Sequence, residues 1–305
     1  MINKKRTRYR KFEPYIQFRR VMFKLFTPKS FKHMALSQPY LKLEPVNDIW
    51  KVYWKGGFIS ETDSWNNLRL QAPDNLYSIA TGPSISDQQF NNLDGGQCVL
   101  VNGAVQLVLD NKISTPLAVM VEDARFIYER FEMLLALPKG TRLCLVASAM
   151  HALGVVAGVE GLKHFNLMLI DGFETPYGSP KRSVASAPVN SYRKSSNAKL
   201  SLDLNEGHFG CGTVMYCGIQ MAFHLRVKEL YLVGFDLTNF DQPRFYETKD
   251  NAAWTGLQNA YEARILPALE LTMQTAEEFN MQVYNCSHTS IIPRSLIPYS
   301  DCLTK

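Results

Sequence analysis

Five polar turns in this chain combine side chains that bind charged or hydroxylated ligands with glycines that let a ligand approach the backbone. The first is Thr81-Gly82-Pro83-Ser84, which follows the apolar run 76–80. Ser84, Ser86 or Asp87 could cap a helix that begins here, and a helix start at the carboxyl end of a strand is a natural anion site. The turn lacks the spacing of a P-loop or of a dinucleotide fingerprint, which disfavours ATP and NAD. The alternative is a corner with a structural role only.

Two more turns follow the next apolar runs of the chain. Asn102 ends one run and could hydrogen-bond a base or a ribose, or simply shape the turn. Glu122, Asp123 and Arg125 end the other run, and two carboxylates beside a guanidinium suit a polyhydroxylated acidic sugar. The alternative here is that Asp123 caps a helix and pairs with Arg125 at the surface.

The fourth turn is a glycine-rich loop that leads into a predicted helix at 213–225. It contains Cys211, Gly212 and Thr213, whose N–H groups could hold an anion. His208 precedes them and could act as a general base near neutral pH, or it could be incidental.

The fifth turn follows the apolar run 229–233 and begins with Asp236 at the predicted strand end. Arg244 and Tyr246 come shortly after it, and Glu247 is next to them. A guanidinium and a phenolic hydroxyl could close over a phosphate and stabilise its charge as it departs.

Acidic residues are not arranged as a metal site in this sequence. It contains no Asp-x-Asp pair, and its carboxylates do not cluster as a magnesium site requires. The charge of a leaving phosphate must then be met by protein donors and cations. This favours a nucleoside-monophosphate leaving group over a diphosphate, and we expect neither a metal nor another cofactor.

Short apolar runs at intervals suited to an alternating α/β sheet must position these turns. Several runs are apolar on both faces, as buried parallel strands are. The predicted strands are 76–80, 98–101, 117–121, 142–146, 166–170, 229–233 and 282–284. The predicted helices are 123–137, 213–225 and 254–279, the last with a break near Pro267. Residues 172–204 lack periodicity and predict a lid or a disordered insert, while the alternation of 50–54 predicts a separate short strand.

Charge is concentrated at the N-terminus. Residues 1–32 hold eleven Lys and Arg against one Glu, a net charge of +10, which leaves −5 for the rest because the total is +5. Dense aromatic residues between the cations predict contact with an anionic membrane surface. A disordered basic arm or a nucleic-acid patch is the alternative. The predicted membrane residues are Arg8, Arg10, Phe12, Phe18, Arg19, Arg20, Phe23 and Phe26.

The expected organisation is a basic arm at 1–32, an extension at 33–75 and a catalytic domain at 76–305. No apolar run reaches the roughly 18 residues of a membrane span. The six cysteines show no Cys-x-x-Cys spacing, which favours a reducing compartment over a disulfide framework. We therefore expect a cytoplasmic protein, and the basic arm predicts that it lies on a membrane surface.

The order of these turns resembles the lipopolysaccharide core biosynthesis proteins of the WaaZ type. The resemblance spans about Leu76 to Pro293, and the N-terminal arm lies outside it. It implies transfer of 3-deoxy-D-manno-octulosonic acid (Kdo) from CMP-Kdo to the Kdo region of the inner core, with a lipid A-linked Kdo acceptor. The residues that carry it are Thr81–Ser84, Val101–Ala104, Glu122–Phe126, Cys211–Thr213 with Gln220, Gly234–Thr238, Arg244–Tyr246 and the tail Tyr284–Ser287 with Ile292 and Pro293.

The same order is more distantly similar to bacterial sialyltransferases that use CMP-sialic acid. That similarity implies one Rossmann-like, GT-A-like domain with a lid, a mostly parallel sheet and inverting, metal-independent chemistry. It implies that the residues of the first turn and Asn102 face CMP, and that Glu122 faces the donor sugar. It places Cys211, Gly212 and Thr213 near the donor carboxylate or the cytidine, and Tyr246 in the lid near the phosphate.

The chain departs from the sialyltransferases in its catalytic base, because residues 237–285 contain no histidine. The candidates for the base are His208, Asp123 and Glu247, in that order. Another CMP-activated nonulosonic acid, such as CMP-sialic acid, is an alternative donor. A pterin diphosphokinase shares similar turns, but the missing metal ligands argue against it. From a different class, the chain could be a non-catalytic membrane-surface adaptor on a transferase-like scaffold.

Overall fold

The computed structural model describes residues 14–33, 38–238, 243–248, 250 and 257–304. These divide into two compact units. The first unit is drawn from Met1–Asn67, Val121–Ala187 and Asn205–Gly207. The second unit is drawn from Leu68–Met120, Pro188–Leu204 and His208–Lys305. The boundaries expected at residues 32 and 75 stay predictions.

Strands and helices alternate along the chain. The strands are β1 (Leu41–Val46), β2 (Ile49–Trp54), β3 (Gly57–Glu61), β4 (Asn75–Ile79), β5 (Cys98–Val101), β6 (Ala118–Val121), β7 (Arg142–Leu145), β8 (Asn166–Leu169), β9 (Tyr192–Lys194), β10 (Lys199–Ser201), β11 (Glu229–Val233) and β12 (Gln282–Asn285). The α-helices are α1 (Pro14–Phe26), α2 (Trp65–Leu70), α3 (Gln106–Leu109), α4 (Ala124–Leu135), α5 (Ala147–Lys163), α6 (Met215–Leu225), α7 (Leu257–Ala260) and α8 (Leu266–Glu278).

The main sheet is parallel and has seven strands in the order β12-β11-β4-β5-β6-β7-β8. This confirms the predicted α/β class and each of the seven predicted strands, within one residue at most ends. The prediction succeeded because β5 and β6 are buried at every residue and are therefore apolar on both faces. The chain order reverses at β4, which has β5 on one side and β11 on the other. Ligands of open α/β sheets bind at the carboxyl ends of strands next to such a reversal.

The predicted helices at 123–137 and 213–225 correspond to α4 and α6. Of the third, predicted at 254–279, residues 254–256 lie outside the described residues, and the rest forms α7 and α8, joined by a π-helical turn at Tyr261–Ile265. The break expected near Pro267 is thus a change of helix type ahead of the proline. Pro267 itself lies in the first turn of α8, where a missing N–H costs no hydrogen bond.

The first unit contains an antiparallel sheet in the order β1-β2-β3. The predicted strand at 50–54 is β2, and a two-residue turn joins it to β3. Both turn residues, Lys55 and Gly56, have positive φ, as tight hairpin turns require. Trp54 of β2 packs on α5 of the same unit, where a Cβ at Gly154 would lie 2.6 Å from the indole ring.

The connection at 172–204 is described throughout and contains the β9–β10 hairpin. In the second unit, Tyr216 of α6 donates its hydroxyl to the carbonyl of Lys199 in β10, at 2.9 Å. Residues 192–201 are therefore an ordered hairpin attached to α6. None of the helices in the described part of the chain is long and apolar enough to cross a membrane.

Candidate functional site

The turn after β4 folds back on the turn after β11. Gly82 N donates to Gly234 O at 2.9 Å, and the backbone N–H of Ser84 donates to Asp236 Oδ2 at 2.9 Å. The Ser84 hydroxyl donates to Asp236 Oδ1 and lies 2.9 Å from the hydroxyl of Ser287. Ser84, Asp236 and Ser287 are all buried. These three residues form a closed polar network that holds β4, β11 and β12 together at their carboxyl ends.

Glycine is required at position 82 because the network leaves no room for a side chain there. A Cβ at Gly82 would lie 2.5 Å from Asp236 Oδ2 and 2.6 Å from Gly234 O. The α-helix expected after this turn is instead a 3-10 turn at Pro83–Asp87, and no side chain caps it. The reason is that the Ser84 hydroxyl and N–H are both bonded to Asp236. Thr81 is half-buried and Pro83 is exposed, so this part of the turn remains accessible.

The turn after β5 differs from the turn after β4, because one of its polar atoms has no hydrogen-bond partner among the described residues. Asn102 has a φ of 51°, in the left-handed region that most side chains avoid. Its amide oxygen Oδ1 is buried, and no donor reaches it among the described residues. Buried polar atoms nearly always have a partner, and strained backbone clusters at functional sites. Asn102 is therefore the residue of this edge best prepared to accept a hydrogen bond from a ligand.

Tyr246 lies directly over Gly103, the residue after Asn102. A Cβ at Gly103 would overlap the Tyr246 ring, so glycine is needed for the two to approach. The N–H of Phe245 reaches the carbonyl of Thr81 at 3.4 Å. Residues 245 and 246 thus contact the turns after both β4 and β5, which brings the predicted Thr81, Asn102 and Tyr246 together.

Arg244 is held beside Tyr246 by Glu247. Arg244 Nη1 lies 3.0 Å from Glu247 Oε1, and the Glu247 side chain is only 2% exposed. Burial lowers the pKa of Arg244, but the neighbouring Tyr246 and Glu247 outweigh it, so that the pKa is raised. Arg244 therefore remains a cation at this edge. Glu247, a candidate base, serves as its ion-pair partner.

The loop before α6 lies at the same edge. Met215 Sδ lies 3.1 Å from the Ser78 hydroxyl of β4, which places the start of α6 beside that strand. Gln220 is fully buried and hydrogen-bonds both the N–H and the carbonyl of Phe209, at 2.9 and 2.8 Å. This clamp fixes the loop that carries half-buried His208, buried Cys211 and exposed Gly212. Thr213 Oγ1 accepts a hydrogen bond from the N–H of Met215, the first residue of α6, at 3.3 Å.

Glu122, Asp123 and Arg125 belong to the first unit, where β6 leads into α4. Asp123 accepts a hydrogen bond from Arg125 N at 2.8 Å and forms an ion pair with its guanidinium at 2.6 Å. Both side chains are exposed, so the helix-cap alternative describes this pair. Glu122 is half-buried at the end of β6. Asp123 is thus bonded as a cap and an ion-pair partner.

Sequence reasoning named Ser287 only within the tail that carries the family resemblance, without a role, and it missed Arg264. Ser287 comes two residues after β12, so the strand-end rule that selected the other turns could have found it. Arg264 lies in the π-helical turn, whose register cannot be read from an α-helical period. In the described residues, no group of three or more His, Cys, Asp or Glu side chains could hold a metal ion.

The predicted membrane residues fall on α1 and the segment before it. Arg8, Arg10, Phe12 and the side chain of Arg20 lie outside the described residues. Phe18 and Phe26 are 62% and 77% exposed, Arg19 is exposed, and Phe23 is half-buried. Phe18 shares a face of α1 with the exposed Val21, Met22 and Leu25, because they lie three, four and seven residues after it.

Comparison with known proteins finds one matching family model and two similar proteins. Residues 181–303 match the family model described as 3-deoxy-D-manno-octulosonic acid transferase WaaZ. A "probable 3-deoxy-manno-octulosonic acid transferase" of Salmonella typhimurium (strain LT2) is 24% identical over 257 residues, which cover 79% of this chain and 92% of that protein. A protein of the same name from Escherichia coli (strain K12) is 23% identical over 255 residues, 79% of this chain and 88% of that protein. No solved structure matches the chain significantly. The resemblance seen in the sequence is confirmed.

Proposed function

From this resemblance to the WaaZ type, we propose that the chain transfers Kdo from CMP-Kdo to the Kdo region of the lipopolysaccharide inner core. The transfer is inverting and needs no metal ion, on a GT-A-like scaffold. Asn102 is the observation that carries the proposal. An amide oxygen that is buried, without a donor among the described residues and held by left-handed backbone is ready to accept a hydrogen bond from the cytosine amino group or a ribose hydroxyl.

Arg244 and Tyr246 supply the charge stabilisation that the reaction requires. In one displacement, an acceptor hydroxyl forms a bond to the anomeric carbon, and the bond from that carbon to the phosphate oxygen breaks. CMP leaves with the electron pair of the broken bond, and its charge is met by a guanidinium and a phenolic donor. Because Tyr246 lies over Gly103, it can cover the phosphate of a donor held at Asn102.

His208 remains the first candidate for the base that takes the acceptor proton. Of the other two candidates, Asp123 pairs with Arg125 and Glu247 pairs with Arg244. His208 is half-buried, on the loop that Gln220 clamps.

The first experiment incubates the purified protein with fresh CMP-Kdo and a Kdo-bearing lipid A acceptor and measures products by mass spectrometry. We expect a product heavier by one Kdo, and we expect His208→Gln to abolish the pH dependence of turnover. If intact donor and acceptor give no product, the Kdo assignment is wrong. CMP-sialic acid then tests the alternative donor, and failure of that as well leaves the non-catalytic adaptor.

The exposed face of α1 supports a second part of the proposal, that the protein lies on the inner face of the inner membrane where its acceptor is embedded. Phe18, Val21 and Leu25 are more than half exposed, and Lys24, Lys29 and other cations flank them. Apolar side chains can enter the interface while the cations contact anionic head groups, at about 1 kcal/mol per cation.

Vesicle flotation tests this attachment without any need for catalysis. Vesicles that contain phosphatidylglycerol should carry the protein, and the double variant Phe18→Ser, Leu25→Ser should bind at least about tenfold less, since each burial contributes about 1.5–3 kcal/mol. The matched control is Leu70→Ser, Val189→Ser, which removes two residues that are 87% and 86% exposed outside α1. Equal loss in both variants would contradict the assignment to α1.

A further inference from the structure

Arg264 is presented by the π-helical turn Tyr261–Ile265 between α7 and α8. An extra residue per turn rotates the side chains that follow, and such turns are frequent at functional sites. Here the turn leaves Ile265 buried and Arg264 exposed. The rotation therefore directs a guanidinium outward from the start of α8, which leads into β12 and so begins at the carboxyl edge of the sheet.

The guanidinium of Arg264 lies on Gly212. A Cβ at Gly212 would be 3.0 Å from Arg264 Nη2 and 3.2 Å from Cζ, and Gly212 has a φ of 103°. The same position would be 3.0 Å from the buried Ala260, which packs the end of α7 against the loop. Glycine at 212 is thus required both by the backbone conformation and by the approach of Arg264.

Two hydrogen bonds tie this turn to the strand-end network. Tyr261 donates its hydroxyl to the carbonyl of Ile291 at 3.3 Å. Ile291 N in turn donates to the carbonyl of Asp236 at 3.0 Å. Arg264 therefore belongs to the same edge as Asp236 and the turn after β4, although it is far from them in sequence.

Arg264 and Arg244, the two arginines of this edge, differ in whether a carboxylate is paired with them. Arg244 is paired with the buried Glu247. Arg264 has no carboxylate or hydrogen-bonding partner in the described part of the chain, and its neighbour across the loop is a glycine without a side chain. A planar guanidinium beside open backbone matches a carboxylate, which it can bind through two parallel hydrogen bonds.

We propose that Arg264 binds the carboxylate of the donor's ulosonic acid sugar and so selects CMP-activated sugar acids over CMP itself. This inference rests on the proposed function, because it assigns one group of the same donor. Arg244 and Tyr246 take the phosphate, while Arg264 and the loop at Gly212 take the sugar acid. The two arginines thus divide the two negative groups of the donor between them.

The test separates the carboxylate from the phosphate by measuring two constants. With CMP-Kdo as donor, Arg264→Gln should raise KM about tenfold, the loss expected for about one charge-assisted hydrogen-bonded contact. The inhibition constant of CMP, which has the phosphate but no carboxylate, should stay within about twofold. Arg264→Lys keeps the positive charge but cannot form two parallel hydrogen bonds. Its KM for CMP-Kdo should therefore lie between those of the unmutated protein and Arg264→Gln.

Arg294→Gln is the matched control, because it removes an exposed arginine of the same unit that stacks on Tyr299. It should change neither constant. If Arg264→Gln weakens CMP and CMP-Kdo equally, or changes neither, Arg264 does not bind the carboxylate. If the unmutated protein turns over CMP-Kdo but Arg264→Gln has the same KM, this proposal alone fails. If the unmutated protein neither binds CMP nor turns over CMP-Kdo, the proposed function fails instead.

Discussion

The turns after β4 and β5 look equivalent in the sequence but differ in how their polar atoms are used. The turn after β4 bonds its serine and glycine to Asp236 and Gly234, inside a buried network. The turn after β5 leaves the amide oxygen of Asn102 without a donor among the described residues. The polar atoms of the first turn are bonded within the scaffold, whereas the second turn has an acceptor that no described residue uses. Neighbouring polar turns at one sheet edge therefore need not share a role.

Gly82→Ala should have the largest effect, and it should act on stability. The added Cβ would overlap the Asp236 carboxylate and a backbone carbonyl, neither of which can move without opening the buried network. We expect a loss of about 3 kcal/mol in the free energy of unfolding, measured by urea denaturation. Gly210→Ala is the control, since a Cβ there meets nothing within 4 Å. An unchanged urea midpoint for Gly82→Ala would show that the turn after β4 is not scaffold.

Asn102→Gly should have the next largest effect, and it should act on catalysis. Glycine accepts the left-handed backbone without strain, so stability should be kept or slightly raised. The lost acceptor should lower kcat/KM for the donor by about tenfold to a hundredfold, the range of one buried hydrogen bond. Asn280→Gly is the matched control, because Asn280 is exposed and has a φ of 52°. If both variants keep full activity, Asn102 is only a turn residue.

Gly103→Ala should have the smallest effect of the three. Its Cβ would push the Tyr246 ring away from the turn after β5. Because a ring in a surface segment can shift, we expect less than about 1 kcal/mol in stability and a several-fold rise in the donor KM. In a Tyr246→Ala background the same change should have no further effect on KM. An equal effect in both backgrounds would mean that Tyr246 does not act through this contact.

Sequence reasoning recovered the parts of the fold that have a clear local pattern. The seven strands were found because buried parallel strands are apolar runs bounded by turns. Helix α5 was missed because Ala147–Lys163 is apolar without a one-sided period and contains Gly158 at a φ of 65°.

In the candidate site, too, some residues could be predicted from a local sequence pattern and others could not. Asn102 and Tyr246 were predicted from strand ends and from family resemblance, and the structure places Tyr246 over Gly103, next to Asn102. The closure of Ser84 onto Asp236 and the placement of Arg264 on Gly212 could not be read, because each depends on contacts between distant segments.

The pairing of β4 with β11 has a consequence for how the protein is made. Ser84 and Asp236 are 152 residues apart in sequence, so Ser84 leaves the ribosome long before Asp236. Contacts of such separation require closure of a long loop, which slows folding. During synthesis β4 lacks its neighbour β11 in the sheet. The scaffold of the site can form only after β11 and β12 have been synthesised. A truncation before residue 229 should therefore leave a chain that depends on chaperones rather than a smaller working enzyme.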